Sequence, residues 1–430
     1  MASLGTYVGL LRRNRNFRLL WMAQVVSEIG DWLYAVVLYD FLLQQTGKAS
    51  SVAFAVVLQV LPQVLAAPLA GVVNDRISRR TVMIASDVGR FFVIAGMLGA
   101  ITWKAYWLIY PLLTMETMLW AFFEPGRSAI LPNLVTGEGD LTVANTIASV
   151  TWSFNLAVGA ALGGGLTVLL GRDAVFAINA VSFLVSAWLL LRIVCVEPHL
   201  ETAAPLRAAD LVDYKPVAEG FRYIWGDARL FALMLVKAGI GALGAHYVIL
   251  TLFGARVFPQ VGGAVVGMSL LLGSRGMGAI LGPLAGTSWA KEIAARRRLG
   301  IFIGFCCASA GYLLLSAAPT LPLAMACVVL GHAGLSMVWV LQTLLVQTIA
   351  EDKFRGRVFS ADFAFLVLFL SLSTHLGGLA ADAGVDVRMI ARAVGLLALV
   401  PAFAWLTLAL PLWRRDGVDA GKAFVEGRRD

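Results

Sequence analysis

Two long apolar runs of this sequence are joined by the charged stretch Gly71-Val72-Val73-Asn74-Asp75-Arg76-Ile77-Ser78-Arg79-Arg80-Thr81. A glycine at position 71 would allow two helices to approach closely beside the turn. Asp75 lies four residues before Arg79, so its carboxylate can pair with that guanidinium or cap a helix that begins near Ser78. Arginines in short loops favour the cytoplasmic side of a membrane. The ordered spacing therefore indicates a specialised turn rather than an ordinary positively charged loop.

The composition places the chain in a membrane. Of its 430 residues, 59% are hydrophobic and 14% are charged, with a mean hydropathy of +0.81. A soluble protein carries about 25% charged residues. A chain this apolar needs lipid as its solvent. The net charge of +8 is carried in short loops between apolar runs, so it indicates membrane topology and not a nucleic-acid partner.

Apolar runs of about 20 residues predict an all-α membrane protein with twelve transmembrane helices. The runs are too long for the strands of a membrane barrel and lack their alternation. The predicted spans are 17–44, 50–73, 81–103, 106–128, 142–170, 173–195, 229–256, 263–287, 299–317, 322–347, 358–382 and 389–412.

The loop charges predict the orientation of these spans. With the N-terminus inside, the inner segments hold 25 of the 34 lysines and arginines, the outer loops hold 6, and the rest lie within spans. This asymmetry predicts that both termini are cytoplasmic. The basic N-terminus is followed by a run that is too long for a cleavable signal peptide, so we expect a retained first span.

The longest polar stretch divides the chain near its middle. We predict an N-terminal six-helix bundle at 1–196, a cytoplasmic linker at 197–228, a C-terminal six-helix bundle at 229–413 and a cytoplasmic tail at 414–430. An amphipathic piece around 217–225 is expected to lie along the membrane surface. The loop after Gly286 weakly repeats the loop after Gly71, and such repeats predict pseudo-symmetric bundles with a binding site near mid-membrane.

The stretch 71–81 resembles the signature loop of the major facilitator superfamily, a glycine, an acid and then arginines between helices two and three. Further segments resemble bacterial exporters related to enterobactin and macrolide efflux proteins: Ser27-Glu28-Ile29-Gly30-Asp31, Phe122-Phe123-Glu124-Pro125, Asn179-Ala180-Val181-Ser182-Phe183, Glu219-Gly220-Phe221-Arg222-Tyr223 and Arg355-Gly356-Arg357-Val358. The resemblance implies a monomeric transporter of small amphipathic organic compounds in the bacterial inner membrane, working by alternating access.

Two features depart from the pattern of proton-coupled members. The glycine-proline pair of span five is replaced by Gly159-Ala160, although Gly163, Gly164 and Gly165 keep a glycine face for helix packing. The arginine that many members carry in span four is missing, and Glu116 is the charged residue there. The sequence therefore leaves the coupling ion open, with protons as one candidate.

Acids within spans are the first candidate functional residues, because a charge at a helix centre costs about 2.5–3.5 kcal/mol. Glu28 and Asp31 lie three residues apart in span one, and Glu116 lies in the middle of span four. We expect Glu28 and Asp31 to bind protons or a cationic substrate, the alternative being a pair that only packs helices. Glu116 is either a coupling acid or a structural one.

The basic residues within spans also have more than one possible role. Arg275 in span eight could bind an anionic group or pair with an acid. His246 in span seven could titrate near neutral pH or be a packing residue. Lys237 could extend to the inner surface. Asp87 and Arg90 in span three are expected to pair within their helix, or to reach the Asp75 loop.

The leading hypothesis is an exporter that rocks two helix bundles about a central site. The predicted gating group consists of Gly71, Asp75, Arg76, Arg79, Arg80, Asp87, Arg90, Arg355 and Arg357. An alternative is a transporter of lysophospholipids, with Arg275 on the headgroup phosphate.

We expect no enzymatic activity, because motifs of metalloproteases, serine hydrolases and phosphate-binding loops are missing from the sequence. The four cysteines lack metal-ligand spacing, and we expect neither a cofactor nor a metal.

Overall fold

The structure is a computed structural model that describes residues 4–135, 137, 139–202, 215–259, 263–291 and 293–409. In its first half the helices are α1 (Leu4–Arg13), α2 (Arg15–Thr46), α3 (Ala49–Arg76), α4 (Arg79–Thr102), α5 (Ile109–Leu134), α6 (Asp140–Leu170), α7 (Arg172–Leu191) and α8 (His199–Thr202). The second half contains α9 (Lys215–Gly226), α10 (Ala228–Ala242), α11 (His246–Leu252), α12 (Ala264–Ala290), α13 (Ala294–Ala317), α14 (Leu321–Ile349), α15 (Asp352–Asp382), α16 (Val387–Leu397) and α17 (Leu399–Ala404).

Local sequence signals set several helix ends. The side chain of Asn14 caps α2 by accepting a hydrogen bond from the N–H of Phe17 at 2.9 Å. The same helix ends at Gly47, which adopts a left-handed conformation with φ of 67° and donates its N–H to Leu43. Glycine adopts this conformation without steric cost. These caps bound a 32-residue helix, long enough to cross a bilayer.

The prediction of an all-α membrane protein with twelve spans is confirmed. Ten helical segments of the described chain are long and apolar enough to cross a membrane. The other two predicted spans correspond to α2 and α5, which have the length but contain acidic side chains in their middle. Predicted and observed ends agree within a few residues for most spans, as with 142–170 and α6.

The seventh predicted span is interrupted, because α10 ends at Ala242 and α11 begins at His246. Hydroxyl groups on α15 bind the backbone at this break. Ser373 donates to the carbonyl of Ala242 at 2.6 Å, and Thr374 donates to the carbonyl of Gly244 at 2.9 Å. Non-helical backbone inside a membrane protein requires such partners, since lipid supplies none.

The described chain forms two compact units. Unit 1 comprises Met1–Asp213 and Leu250–Met277, and unit 2 comprises Tyr214–Ile249 and Gly278–Asp430. The boundaries predicted at 196 and 229 stay a prediction, as does the extent of the linker. Residues 203–214 of that linker and the tail at 414–430 lie outside the described residues.

Glycines on α6 bring three helices of unit 1 together. A Cβ atom at Gly163 would lie 2.7 Å from the carbonyl oxygen of Leu33 on α2. A Cβ atom at Gly164 would lie 2.7 Å from the carbonyl oxygen of Val265 on α12. Both are too close for any side chain, so these glycines permit backbone contact on two faces of α6. This packing places Trp32 of α2 beside Arg275 of α12.

Candidate functional site

A cluster of buried charges lies inside unit 1, and we call its four residues, Arg90, Asp31, Glu116 and Asp87, the Arg90 cluster. Arg90 on α4 is 2% exposed. Its Nη2 atom donates to Asp31 Oδ2 at 2.6 Å and to Glu116 Oε1 at 2.9 Å, while its Nε atom donates to the same Glu116 oxygen at 3.0 Å. Asp87 Oδ1 lies 3.7 Å from Arg90 Nη1. One guanidinium group therefore connects acids from α2, α4 and α5.

The surroundings of Arg90 fix its orientation. Its guanidinium carbon lies 3.9 Å from the centroid of the Phe183 ring on α7, a cation–π contact. Glu116 and Asp87 are buried, whereas the side chain of Asp31 retains 22% exposure. Asp31 is therefore the member of the cluster that water or a substrate reaches most readily.

The predicted pair of Asp87 and Arg90 within α4 is present at 3.7 Å, but it is one of three ion pairs of this guanidinium. Its two closest carboxyl partners, Asp31 and Glu116, come from other helices, and Asp87 is the most distant of the three acids. The reason is packing, because α4 lies against α5 and its arginine projects toward Glu116. The guanidinium that the sequence lacks in span four is thus supplied to that span by span three.

Glu28 has partners of its own, although it lies three residues before Asp31. Its carboxylate accepts hydrogen bonds from Gln24 Nε2 and from Asn155 Nδ2 on α6, each at 2.9 Å. Both donors are neutral amides. The predicted pair of acids in span one therefore belongs to two environments, one held by amides and one held by a guanidinium.

Arg275 lies beside aromatic side chains of unit 1. Its guanidinium carbon is 5.9 Å from the centroid of the Trp32 ring on α2. The Trp32 ring meets the Trp152 ring of α6 edge to face, with centroids 5.9 Å apart. A Cβ atom at Gly273 would lie 2.8 Å from Ala161 Cβ, so small residues let α12 approach α6 at this level.

Unit 2 contains a second buried charge cluster, which we call the Lys237 cluster: Lys237, Gln342, Asp362 and Trp339. Lys237 Nζ donates to Gln342 Oε1 at 3.1 Å and lies 3.7 Å from Asp362 Oδ2. Gln342 Nε2 donates to Asp362 Oδ1 at 3.0 Å. The ammonium also lies 3.6 Å from the centroid of the Trp339 ring. The expectation that Lys237 extends to the membrane surface is wrong, because this residue is 3% exposed and has these partners.

His246, at the start of α11, lies in unit 2 beside a second imidazole. The His246 and His332 ring centroids are 4.8 Å apart, and Tyr312 Oη lies 2.8 Å from His332 Nε2. His246 Nδ1 lies 3.0 Å from the carbonyl oxygen of Leu243 in the break between α10 and α11. Its predicted role in substrate binding or coupling stays a prediction.

The loop at 71–81 differs in detail from its predicted geometry. Asp75 is exposed and forms no ion pair with Arg79 in the described part of the chain. Ser78 caps α4 by accepting a hydrogen bond from Thr81, and the carboxylate of Glu197 accepts 2.7 Å hydrogen bonds from the Ser78 hydroxyl and the Arg79 N–H. An acid distant in sequence therefore binds the helix N-terminus, where its negative charge is favourable.

The arginines of this loop bind backbone carbonyl groups of neighbouring helices. Arg79 Nη1 donates to the carbonyl of Ala129 at 2.8 Å, and Arg80 Nε donates to that of Leu190 at 3.0 Å. Gly71 does not provide the expected close approach, since a Cβ atom there would meet nothing within 4 Å. That role falls to Gly126 on α5, where a Cβ atom would lie 2.6 Å from Asn74 Oδ1. Arg76 is half-buried at the end of α3.

The corresponding loop of unit 2 is braced by α9. Arg357 Nη1 lies 2.5 Å from Glu219 Oε2, and the rings of Tyr223 and Phe354 stack with centroids 4.3 Å apart. A Cβ atom at Gly220 would lie 2.7 Å from the carbonyl oxygen of Arg357, so glycine permits this contact. Arg355 lies on the same first turns of α15. The roles of Arg355 and Arg357 in gating stay predictions.

Sequence reasoning passes over Asp362, Gln342, Glu197 and Asn155. Asp362 had a clear signal, because it is an acid inside the predicted span 358–382. Glu197 had none, since its contact with residues 78–79 depends on how the chain leaves α7. Asn155 and Gln342 are amides in apolar runs, a weak signal that becomes informative only once a charged partner is known.

Comparison with known proteins supports the fold. The Major Facilitator Superfamily model matches residues 20–373. The chain is 26% identical over 389 residues to the uncharacterized MFS-type transporter YfiS of Bacillus subtilis, covering 87% of this chain and 88% of that protein. It is 24% identical to the putative bacilysin exporter BacE of Bacillus subtilis (84% and 87% covered). It is 25% identical to macrolide efflux protein A of Streptococcus pyogenes (85% and 89% covered).

Solved structures agree at lower identity. The nucleoside transporter NupG superposes with a TM-score of 0.68 at 13% identity, over 90% of this chain and 99% of that one. A POT family transporter in complex with 5-aminolevulinic acid superposes with a TM-score of 0.73 at 11% identity, over 93% and 96%. With the matched domain spanning most of its length, the chain belongs to the major facilitator superfamily, and it is a multi-pass membrane transporter.

Proposed function

We propose that this transporter exports a small amphipathic organic compound by alternating access, and that proton binding at the Arg90 cluster drives the cycle. The observation that carries the proposal is the imbalance of that cluster. One guanidinium faces three carboxyl groups within 4 Å. Because burying uncompensated charge is costly, such a cluster favours uptake of a proton or a cation. The names of the exporter relatives support the direction of transport.

In this mechanism Asp31 is the group that exchanges the proton. It is the most exposed acid of the cluster, and it shares Arg90 with Glu116. When Asp31 is neutral, the guanidinium interacts mainly with Glu116 and Asp87. When Asp31 is ionised, it holds Arg90 through the 2.6 Å hydrogen bond. The two charge states favour different arrangements of α2 and α4, and a proton gradient can then bias two conformations.

The loops at 71–81 and 351–357 close the cytoplasmic side in the outward-facing state. The hydrogen bonds of Arg79 and Arg80 to backbone carbonyl groups, and the ion pair of Arg357 with Glu219, hold each loop in shape within its own unit. Both termini face the cytoplasm of a bacterial cell, and the protein acts as a monomer. Cysteine accessibility at introduced terminal sites tests the orientation.

The test is transport by purified protein in proteoliposomes. We expect Asp31→Asn to abolish accumulation driven by a pH gradient while retaining counterflow exchange, because exchange needs no net proton movement. Asp173→Asn, at an exposed acid on α7, serves as the control and should transport as wild type. Gradient-driven accumulation that is unchanged in Asp31→Asn would remove proton coupling at this residue from the proposal. Counterflow of a labelled lysophospholipid, run beside a panel of amphipathic drugs, tests the lipid alternative.

A further inference from the structure

The Trp32 ring of unit 1 has an acidic residue and a basic residue as neighbours. Glu28 lies one helical turn before Trp32 on α2, a spacing that puts both side chains on one face about 6 Å apart along the axis. Arg275 reaches the same ring from α12, with its guanidinium carbon 5.9 Å from the centroid. Trp152 on α6 adds a second indole at 5.9 Å. Arg275 and Trp152 thus lie beside the Trp32 ring, and Glu28 precedes that ring by one turn of the same helix.

The carboxyl group of Glu28 is held in place by neutral amide groups. Its two hydrogen-bond donors, Gln24 and Asn155, are amides, and Asn155 is fully buried. Amide donors fix the direction of the carboxyl oxygens and add no positive charge beside them. Among the described residues, Glu28 forms no ion pair within 4 Å. A carboxylate that is oriented in this way is suited to receive a cation from outside the protein.

The group is accessible as well as ordered. Trp152 is 40% exposed, and Glu28, Trp32 and Arg275 are each only partly buried. A ligand can therefore reach these four side chains without unfolding the helices that carry them. The close backbone packing of α6 with α2 and α12 keeps the four side chains on a fixed frame.

We infer that Glu28, Trp32, Trp152 and Arg275 bind a zwitterionic substrate. The ammonium group of the substrate contacts Glu28 and the faces of the two indole rings, which attract cations. Its carboxylate or phosphate forms charge-assisted hydrogen bonds with Arg275. The apolar part of an amphipathic substrate lies against the indole rings. This inference rests on the proposed transport function and adds the charge type of the substrate to it.

A substrate with only one of the two charges binds less well. A pure cation offers Arg275 no anionic group and brings a second positive charge near it, while a pure anion meets Glu28. Such mismatches give specificity through repulsion and unpaired polar groups. Two sources offer the required chemistry, a peptide-like amino acid derivative and a lysophospholipid with a choline headgroup, and separate arms of the test distinguish them.

The experiment measures equilibrium binding to purified protein in detergent. The first arm uses phenylalanyl-phenylalanine as the zwitterion, its methyl ester as the cation and its N-acetyl form as the anion. The second arm uses lysophosphatidylcholine beside the anionic lysophosphatidylglycerol. We expect the zwitterion of at least one arm to bind about tenfold more tightly than its singly charged counterparts, the scale of one lost charged contact.

Variants assign the two charges. In Glu28→Gln the N-acetyl anion should bind nearly as well as the zwitterion, and in Arg275→Gln the methyl ester should do so. Trp152→Phe should weaken binding of every ligand that carries an ammonium group, whereas Trp103→Phe, at an exposed ring just after α4, should bind as wild type. Thermal unfolding checks that each variant is folded. If Glu28→Gln is not folded, Glu28→Asp replaces it, and a shortened carboxylate should weaken ammonium ligands only.

Two outcomes would overturn the inference: equal binding of zwitterion, cation and anion in both arms, or unchanged charge preference in both charge variants. The inference fails separately from the proposed function, because binding is measured without a gradient. If the zwitterion binds but a gradient does not drive its transport, the binding site is supported and the coupling mechanism is not. If a gradient drives transport of a compound that binds elsewhere, the proposed transport function is supported and the proposed binding site is not.

Discussion

The Arg90 cluster and the Lys237 cluster differ in their charge balance. The Arg90 cluster of unit 1 sets one guanidinium against three carboxyl groups, whereas the Lys237 cluster of unit 2 sets one ammonium against one carboxylate, with Gln342 bonded to both. A cluster with more carboxyl groups than cations favours proton uptake more strongly than a pair in which the charges balance. The comparison therefore separates a cluster suited to coupling from one suited to holding helices together.

The largest effect is expected from removing the cation of the unbalanced cluster. Arg90→Gln leaves three buried acids without a positive partner, and we expect a loss of about 3–5 kcal/mol in unfolding free energy. Thermal unfolding in detergent measures it. Arg392→Gln, at an exposed arginine on α16, is the matched control and should unfold as wild type. An unfolding midpoint for Arg90→Gln equal to that of the control would contradict the central role of this guanidinium.

In the Lys237 cluster, a second substitution should restore the stability that the first one removes. Lys237→Met leaves Asp362 buried without its cation, and we expect a loss approaching that of the Arg90 variant, about 3–5 kcal/mol. Adding Asp362→Asn removes the orphaned charge and should restore most of the stability, because Gln342 can still donate to the new side chain. A double-mutant cycle measures the coupling. Additive effects of the two substitutions would show that the two residues do not act as a pair.

Within the unbalanced cluster the acids should differ. Glu116 accepts two hydrogen bonds from Arg90 at 2.9 and 3.0 Å, while Asp87 lies 3.7 Å away. Glu116→Gln should lose about 1–3 kcal/mol, since it removes a buried charge-assisted contact. Asp87→Asn should leave the stability unchanged or raise it, because it lowers the excess negative charge. Thermal unfolding of both variants measures the difference. A larger loss of stability in Asp87→Asn than in Glu116→Gln would show that Asp87 is the more important partner of Arg90.

The fold was predictable because lipid restricts the solutions. A chain with twelve apolar runs of bilayer length forms helices, and the predicted ends of α6 and α12 lie within a few residues of the observed ones. The break between α10 and α11 was not predictable from hydropathy, because it depends on the hydroxyl groups of Ser373 and Thr374 in a distant helix. Helix existence follows from local composition, and interruptions follow from packing.

The candidate site was predictable in its members but not in its pairings. Glu28, Asp31 and Glu116 stand out as acids in spans, yet their partners come from other helices. Spacing suggested Asp87 as the partner of Arg90, because residues three apart share a helix face. The structure contains that pair and adds two closer ones, with Asp31 and Glu116, since the side chain of Arg90 points between α2 and α5. Sequence spacing indicates possible contacts within a helix, while contacts between helices need the fold.

The smallest change in stability is expected at the loop between α3 and α4, where an acid distant in sequence can be compared with an acid of the loop itself. Glu197 accepts two 2.7 Å hydrogen bonds at the start of α4, whereas Asp75 is exposed and pairs with no described arginine. Glu197→Gln should cost about 0.5–2 kcal/mol, the usual range for a lost helix cap. Asp75→Asn should stay within about 0.5 kcal/mol of wild type, as most surface substitutions do. Thermal unfolding compares the two variants. Asp75 is a predicted gate residue. A transport defect in a fully stable Asp75→Asn variant would therefore indicate that Asp75 makes its functional contact in another state of the transport cycle.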